Sequence, residues 1–191
     1  MKNSKSRLFV FSAPSGSGKT TIVKDVLKNY PDFVFSISVT TRAIRPAETD
    51  SIDYFFVNEK EFQNKIDAGV FIEWEKVYEY YYGTLKSQID NNIEMGLNTV
   101  FEVDVNGAFK IKEYYDKSIL IFIAPPGIEE LKKRLINRNT ETDEDLKMRI
   151  ERAEMELSVK NKFDYIVSNI DLEEAKKRVK QIIDKEITKE V

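Results

Sequence analysis

Apolar positions in this chain come in two kinds of block. Four compact runs, Leu8–Ser12, Thr99–Val103, Ile119–Ala124 and Asp164–Ser168, are apolar and rich in β-formers. Runs of that length and content predict buried strands. Phe33–Val39 alternates in part and predicts a further strand. The blocks between them repeat at helical spacing. Lys19–Asn29 carries Ile22, Val23, Val26 and Leu27 on one face, and Pro31 stops it. Glu59–Ala68 and Leu85–Met95 read as helices closed by Gly69 and Gly96. Leu131–Ile136 lies on another helix. A further one begins at Thr142, with Asp143, Glu144 and Asp145 in its first turn and Leu146, Ile150, Ala153 and Leu157 spaced four, three and four apart. From Asp171 onward Leu172, Ala175, Val179, Ile182 and Ile183 share a face, and the charged run Lys185–Val191 reads as a frayed helix end.

Strands alternating with helices predict an α/β fold with a parallel sheet covered by helices on both faces. The section from Ser38 to Gly96 breaks the rhythm. It holds a polar loop (Thr40–Ser51), a short strand (Asp53–Val57) and an aromatic stretch (Val70–Thr84) that predicts two short strands. It reads as an inserted subdomain. There is no internal repeat and no low-complexity linker, and 191 residues suffice for one domain with a sizeable core.

Composition narrows the chemistry. Hydrophobic residues make up 41% and charged residues 33%, with a net charge of −3, so no global basic field points to nucleic acid or an anionic membrane. The polar start Met1–Arg7 predicts no leader, no apolar stretch is long enough to span a membrane, and a cytoplasmic location is the expectation. The chain has no cysteine and no histidine, which removes thiolate nucleophiles, Ser-His pairs and His-ligated zinc. Carboxylates, Lys, Arg, Tyr and hydroxyls are left. That inventory suits phosphoryl transfer, where positioning and charge neutralisation do most of the catalysis.

The sharpest motif is LFVFSAPSGSGKT, from Leu8 to Thr20. A strand runs into a glycine-bearing loop that opens a helix, the context a phosphate-binding loop requires. Its match to G-x-x-x-x-G-K-[ST] has Ala13 in place of the first glycine. In such a loop backbone N–H groups converge on phosphate oxygens, Lys19 reaches the β- and γ-phosphates and the Thr20 hydroxyl binds Mg²⁺. The plain alternative is a glycine turn with a solvated lysine.

Other residues admit two readings each. Arg42 and Arg45, three apart in TTRAIRPAET, either grip a phosphate or are solvated loop charge. Tyr54, Tyr81 and Tyr82 add phenolic donors to that phosphate or fill the subdomain core. Arg138 and Arg149 flank the polar turn Asn-Thr-Glu-Thr-Asp, and are either mobile cations that close over phosphates or ordinary helix-surface arginines. Glu102 and Asp104 end a buried strand, where open α/β sheets bind ligands, or cap a helix. Glu73 in FIEWEKVY is a reader of a ligand or part of simple strand alternation.

Taken in order, SAPSGSGKTT, SVTTRAIRPAET, DYFFV, FIEWE, YYGT, FEVDVNGA, LIFIAPP and LKKRLINRNTETDEDLKMRIERAEMEL resemble the guanylate kinase family over nearly the whole chain. The resemblance implies transfer of the ATP γ-phosphoryl group to GMP or dGMP with Mg²⁺, by a monomer or homodimer. It implies one domain over 1–191, with a P-loop NTPase core (about 1–37, 97–136 and 162–191), a mixed α/β GMP-binding insertion (about 38–96) and a helical lid (about 137–161). It assigns Ala13, Pro14, Ser15, Gly16, Ser17, Gly18, Lys19, Thr20 and Asn169 to ATP. Ser38, Arg42, Arg45, Tyr54, Glu73, Tyr82, Gly83, Thr84 and Asp104 fall to GMP, with the arginines and tyrosines on its phosphate and Ser38, Glu73, Thr84 and Asp104 on guanine. Glu102 acts near the metal through water, beside Thr20. Lys19, Arg42, Arg138 and Arg149 are the catalytic cations. Departures from the family's common pattern are Ala13, Ala47 and Ser51 for glycines, Asn106 for Gln, Asn139 for Gly and Ile170 for Asp. Two other classes compete: a catalytically silent module that binds a phosphorylated peptide, and a P-loop kinase for another small phosphate ester.

Overall fold

Leu8 to Ser12 forms β1, and the period-2 alternation of a strand sends its side chains to two opposite faces. Both faces are covered. Phe9 and Phe11 enter one apolar cluster, Leu8 and Val10 another. β1 is the centre of a five-stranded sheet because it has no polar face to turn to water. The computed structural model describes residues 6–136 and 143–189.

In chain order β1 is followed by α1 (Lys19–Asn29), β2 (Val34–Phe35), β3 (Val39–Thr40), β4 (Phe55–Phe56), α2 (Glu59–Asp67), β5 (Phe71–Val77), β6 (Tyr80–Leu85) and α3 (Lys86–Glu94). Then come β7 (Thr99–Glu102), α4 (Val105–Tyr114), β8 (Ile119–Ala124), α5 (Ile128–Ile136), α6 (Asp143–Ser158), β9 (Tyr165–Ser168) and α7 (Leu172–Thr188). The first sheet runs β2-β7-β1-β8-β9 with every pairing parallel. Ile22, Val23 and Val26 of α1 with Ala175, Val179, Ile182 and Ile183 of α7 cover one face. Ile89 of α3 and Val105, Ala108 and Ile111 of α4 cover the other. The doubly covered parallel sheet is the expected architecture. Among the described residues no helix is long and apolar enough to cross a membrane.

The second sheet runs β4-β3-β6-β5 and lies wholly within residues 39–85. β3 pairs parallel with β4 and antiparallel with β6, and β5–β6 is a hairpin. Its small core is Val39, Phe62 and Phe71. Gly83 on β6 is required by that packing: an added Cβ would stand 2.9 Å from Phe71 Cδ1 and 3.1 Å from Phe62 Cζ. Gly83→Ala is therefore expected to overpack the Phe62–Phe71 stack and cost about 1–3 kcal/mol, read from a denaturant melt. An unchanged midpoint would remove this role.

Four expectations need correction. The single strand predicted over Phe33–Val39 is two strands in two sheets. Ser36 N–H still donates to Val100 O of β7, whereas Ser38 O already accepts from Phe55 N–H beside β4. Between them the Gln88 amide of α3 satisfies both the N–H and the C=O of Ile37, so the chain can change sheets without orphaned backbone groups. The strand over Asp53–Val57 shrinks to Phe55–Phe56. A helix not foreseen, α4, follows β7, capped by Asp104, whose Oδ1 accepts from Gly107 N–H at 2.7 Å. In place of a frayed end from Lys185, the described residues are helical as far as Thr188, because Glu186 is buried, accepts from the Tyr165 hydroxyl and pairs with Lys189. Ser51, which the resemblance sets in place of a glycine, has a left-handed backbone with φ 63°.

Candidate active site

The phosphate loop is built as its sequence requires. Ser17 N–H turns back to Pro14 O at 3.1 Å, and Gly16 and Gly18 take φ of 88° and 86°, a region open to glycine and strained for other residues. α1 begins at Lys19 with Gly18 as N-cap and no side chain capping it. Its first-turn N–H groups are left for an anion, with the positive end of the helix dipole behind them. Lys19 Nζ donates to Val103 O at 2.8 Å, which holds the ammonium at the mouth of the loop. The Thr20 hydroxyl donates to Glu102 Oε1 at 2.5 Å. Two hard oxygen donors side by side next to a phosphate loop fit a magnesium-sized ion that takes its other ligands from phosphate and water.

Asn169 follows β9 and is buried. Its Nδ2 donates to Ser17 O at 2.7 Å, and an added Cβ on Gly18 would meet that nitrogen at 2.4 Å. Asn169 thus supports the loop from behind, and it does not line the cleft. Ile170, next to it, is 73% exposed.

One cleft of about 390 Å³ joins the loop to the second sheet. Ala13 to Thr20, Glu102 and Asp104 line it from the core side, Ser38, Tyr54, Glu73, Glu75 and Tyr82 from the inserted side, and Arg149, Arg152 and Glu156 from α6. Arg42, Arg45, Gly83 and Thr84 lie outside that lining. Arg138 and Asn139 lie outside the described residues.

Glu73 on β5 is buried and accepts from Thr84 Oγ1 at 2.5 Å. Gly107 leaves room for it: a Cβ there would stand 3.0 Å from Glu73 Oε2. Burial pushes the Glu73 carboxyl up to about 7, and the charge of Asp104 adds to that, against the Thr84 hydroxyl bond and Lys110. A carboxylate poised this way accepts hydrogen bonds strongly once a donor-rich ligand arrives.

Arg42 is 8% exposed, so it is not solvated loop charge. Its fork is filled by Glu48, with Nη2 to Oε1 at 2.7 Å and Nη1 to Oε2 at 3.0 Å, and Arg42 in turn holds the Glu48 carboxyl below the usual range. Bidentate oxygens are what a phosphate also offers. Tyr54 meets Tyr82 edge-on at 6.0 Å, and the Arg42 guanidinium sits 5.4 Å from the Tyr54 ring. Burial, then the charge of Glu102, pushes the Tyr54 phenol up to about 12, so it stays a hydroxyl donor. Arg45 is exposed, with its backbone N–H on Glu48 Oε2.

Four groups were not singled out from the sequence: Glu48, Glu75, Arg152 and Glu156. Arg152 donates to Glu75, Asp104 and Glu156. Glu48, three residues after Arg45, and Arg152, three after Arg149, carried a spacing signal that pointed to them.

A family model described as guanylate kinase matches residues 5–186. A guanylate kinase of Thermotoga maritima is 43% identical over 97% of this chain and 89% of its own length. One from Chlorobaculum tepidum is 46% identical over 87% of this chain and 86% of its own. The crystal structure of guanylate kinase from Anaplasma phagocytophilum superposes with a TM-score of 0.80 at 32% identity, over 96% of this chain and 87% of that one. A phosphate loop opposite a buried carboxylate in one cleft, matched along nearly the full length by these proteins, shows that the chain belongs to the guanylate kinase family, the phosphotransferases that pass the γ-phosphoryl group of ATP to GMP.

Proposed function

We propose that the cleft seats the ATP triphosphate on the loop and GMP against the second sheet, with the two phosphates meeting between Lys19 and Tyr82. The single observation that carries this is the shared cleft, lined at one end by Gly16–Thr20 and at the other by Glu73. In this reading residues 38–96 are the acceptor-binding insertion, 137–161 the lid, and the rest the core. Ala13 to Thr20 bind the ATP phosphates, while Asn169 acts through the loop conformation it supports.

Guanine offers N1–H and a 2-amino group side by side, and Glu73 accepts from both. Adenine offers neither donor and would leave the buried carboxylate with Thr84 alone, at a cost of about 1–3 kcal/mol. Thr84 orients Glu73, and Ser38 and Asp104 complete the base pocket. Arg42, Arg45, Tyr54 and Tyr82 hold the GMP phosphate, which exchanges with Glu48 for the Arg42 fork.

The attacking group is an oxygen of that phosphate. With a second pKa near 6 it is already largely dianionic at neutral pH, so no general base is needed. It bonds to the γ-phosphorus as the bond to the β–γ bridging oxygen breaks, and ADP leaves. Lys19, Arg149 and, outside the described residues, Arg138 neutralise the charge that spreads over the transferred group. Thr20 and Glu102 are the residues that would hold Mg²⁺, which would supply charge neutralisation to the phosphates when bound. dGMP is proposed as an alternative acceptor, since the base pocket and phosphate grip do not read the ribose.

A coupled assay of ADP release with GMP, AMP, UMP and a sugar phosphate as acceptors tests this. GMP is expected to exceed AMP by about a hundredfold or more in kcat/KM, given two guanine donors read by a buried carboxylate. Preferred turnover of another ester would indicate a different P-loop kinase. No GMP-dependent turnover would favour a binding module.

A further inference from the structure

Arg152 of α6 stands where three parts of the fold meet. Its Nη2 donates to Asp104 Oδ2 at 3.1 Å and to Glu75 Oε1 at 3.3 Å, and its Nε to Glu156 Oε1 at 3.1 Å. Asp104 caps α4 at the end of β7, in the core sheet. Glu75 belongs to β5 of the second sheet, and Glu156 to α6 itself. One guanidinium thus ties α6 to both sheets. Its side chain is 21% exposed, and those of its partners 23% or less. Exposed ion pairs fix little, but a half-buried planar fork with three carboxylate partners constrains both position and orientation.

A second contact runs in parallel. One turn earlier on the same face of α6, the Arg149 guanidinium lies 5.5 Å from the centre of the Tyr78 ring. Tyr78 turns the chain between β5 and β6 with φ 56°, a left-handed backbone that is costly for a bulky residue. The β5–β6 hairpin therefore meets α6 at two successive residues of one helical face.

We propose that Arg152 is a positioning residue: through Glu75 and Asp104 it fixes where α6 lies against the acceptor side of the cleft, and so where Arg149 stands relative to the transferred phosphoryl group. The role given to Arg149 is that of the functional reading above, on which this inference rests. Arg152 itself bonds to carboxylates and acts through its neighbour. The physical reason for a large effect is geometric, because displacing a charge-stabilising group by about 1 Å costs on the order of a hundredfold in rate.

Glu75→Gln, Arg152→Gln and the double variant test it in the full chain, once wild-type ADP release with GMP is established; failure of the wild type counts against the functional reading, not against this one. Each single substitution is expected to lower kcat by about tenfold to a hundredfold with KM for ATP unchanged. The double variant should lose no more than the worse single, as for residues acting as one unit. Losses that multiply, or an unaltered kcat in Glu75→Gln, would overturn the proposal. If Arg152→Gln fails to fold, Glu75→Gln decides alone, since Arg152 then keeps Asp104 and Glu156. GMP affinity is read directly, by isothermal titration of the full chain. GMP affinity is expected to stay near wild type in Glu75→Gln; a loss of affinity in place of kcat would make Glu75 a substrate contact and refute the positioning role.

Discussion

Lys19→Ala is expected to lower GMP-dependent ADP release by about a thousandfold or more while GMP still binds. Lys19 opens α1 and reaches across to the carbonyl of Val103, at the mouth of the loop. Alanine keeps the helix start and the loop turn, since those rest on Gly16, Gly18 and the Ser17–Pro14 bond. What disappears is a full positive charge beside the bond that breaks. In a chain with net charge −3 the anions must be balanced by locally placed cations. GMP affinity should hold because its proposed contacts, Asp104 apart, lie in the inserted section, and Lys19 is not among them. Coupled ADP release gives the first quantity and isothermal titration of GMP the second. Undiminished turnover would refute the role given to Lys19, and loss of GMP binding would mean that the two ends of the cleft are not independent.

Glu73→Gln is expected to do two opposite things. Guanine-over-adenine selectivity should fall by at least about tenfold, because an amide offers one acceptor and turns a donor toward a donor. Stability of the ligand-free protein should rise at high pH. The Glu73 carboxyl is pushed up to about 7 by burial first, then by Asp104, while Thr84 and Lys110 pull it down. Its folded pKa lies above its unfolded one, so its contribution to stability is present below about pH 4.5 and is lost as pH rises through 7. A shift of that size corresponds to about 3 kcal/mol at most. Glu73→Gln should therefore melt close to wild type near pH 5 and about 5 °C higher near pH 8. The same melting temperature difference at both pH values would mean that Glu73 is not held protonated by its surroundings. Full retention of selectivity would count against Glu73 as the reader of the base.

What was legible in the sequence was what short-range physics decides. The phosphate loop could be read because a strand, glycines needing positive φ, and a helix start must follow one another within about a dozen residues. β1, β7 and β8 could be read because nearly every position is buried on both faces, which leaves little polar patterning to blur them; β9, an edge strand with Ile166 exposed, could be read from its β-formers alone. α4 escaped notice although Val105, Ala108 and Ile111 carry its spacing, because the short block ran on directly from a strand. The division of Phe33–Val39 between two sheets was hidden for another reason. It depends on the Gln88 side chain, 51 residues away, which satisfies both backbone groups of Ile37.

Within the candidate site the same boundary holds. Lys19, Thr20, Glu73 and the Arg42 loop stand out by motif or by an unusual residue in an apolar run. Arg152 is marked only by its spacing from Arg149; its ion pairs could not be read, since its partners Glu75 and Asp104 lie 77 and 48 residues away. Glu75 went unnoticed for the same reason.

The sequence by itself determined the parallel core, the phosphate loop and, through the absence of histidine and cysteine, the kind of chemistry on offer, because each is set by neighbours along the chain or by composition alone. Only the tertiary structure decided which carboxylates face which arginines, that Arg42 is buried on Glu48 and that Arg152 joins both sheets. Those pairings are fixed by burial and by charge at a distance of a few ångströms, and sequence separation carries no information about either.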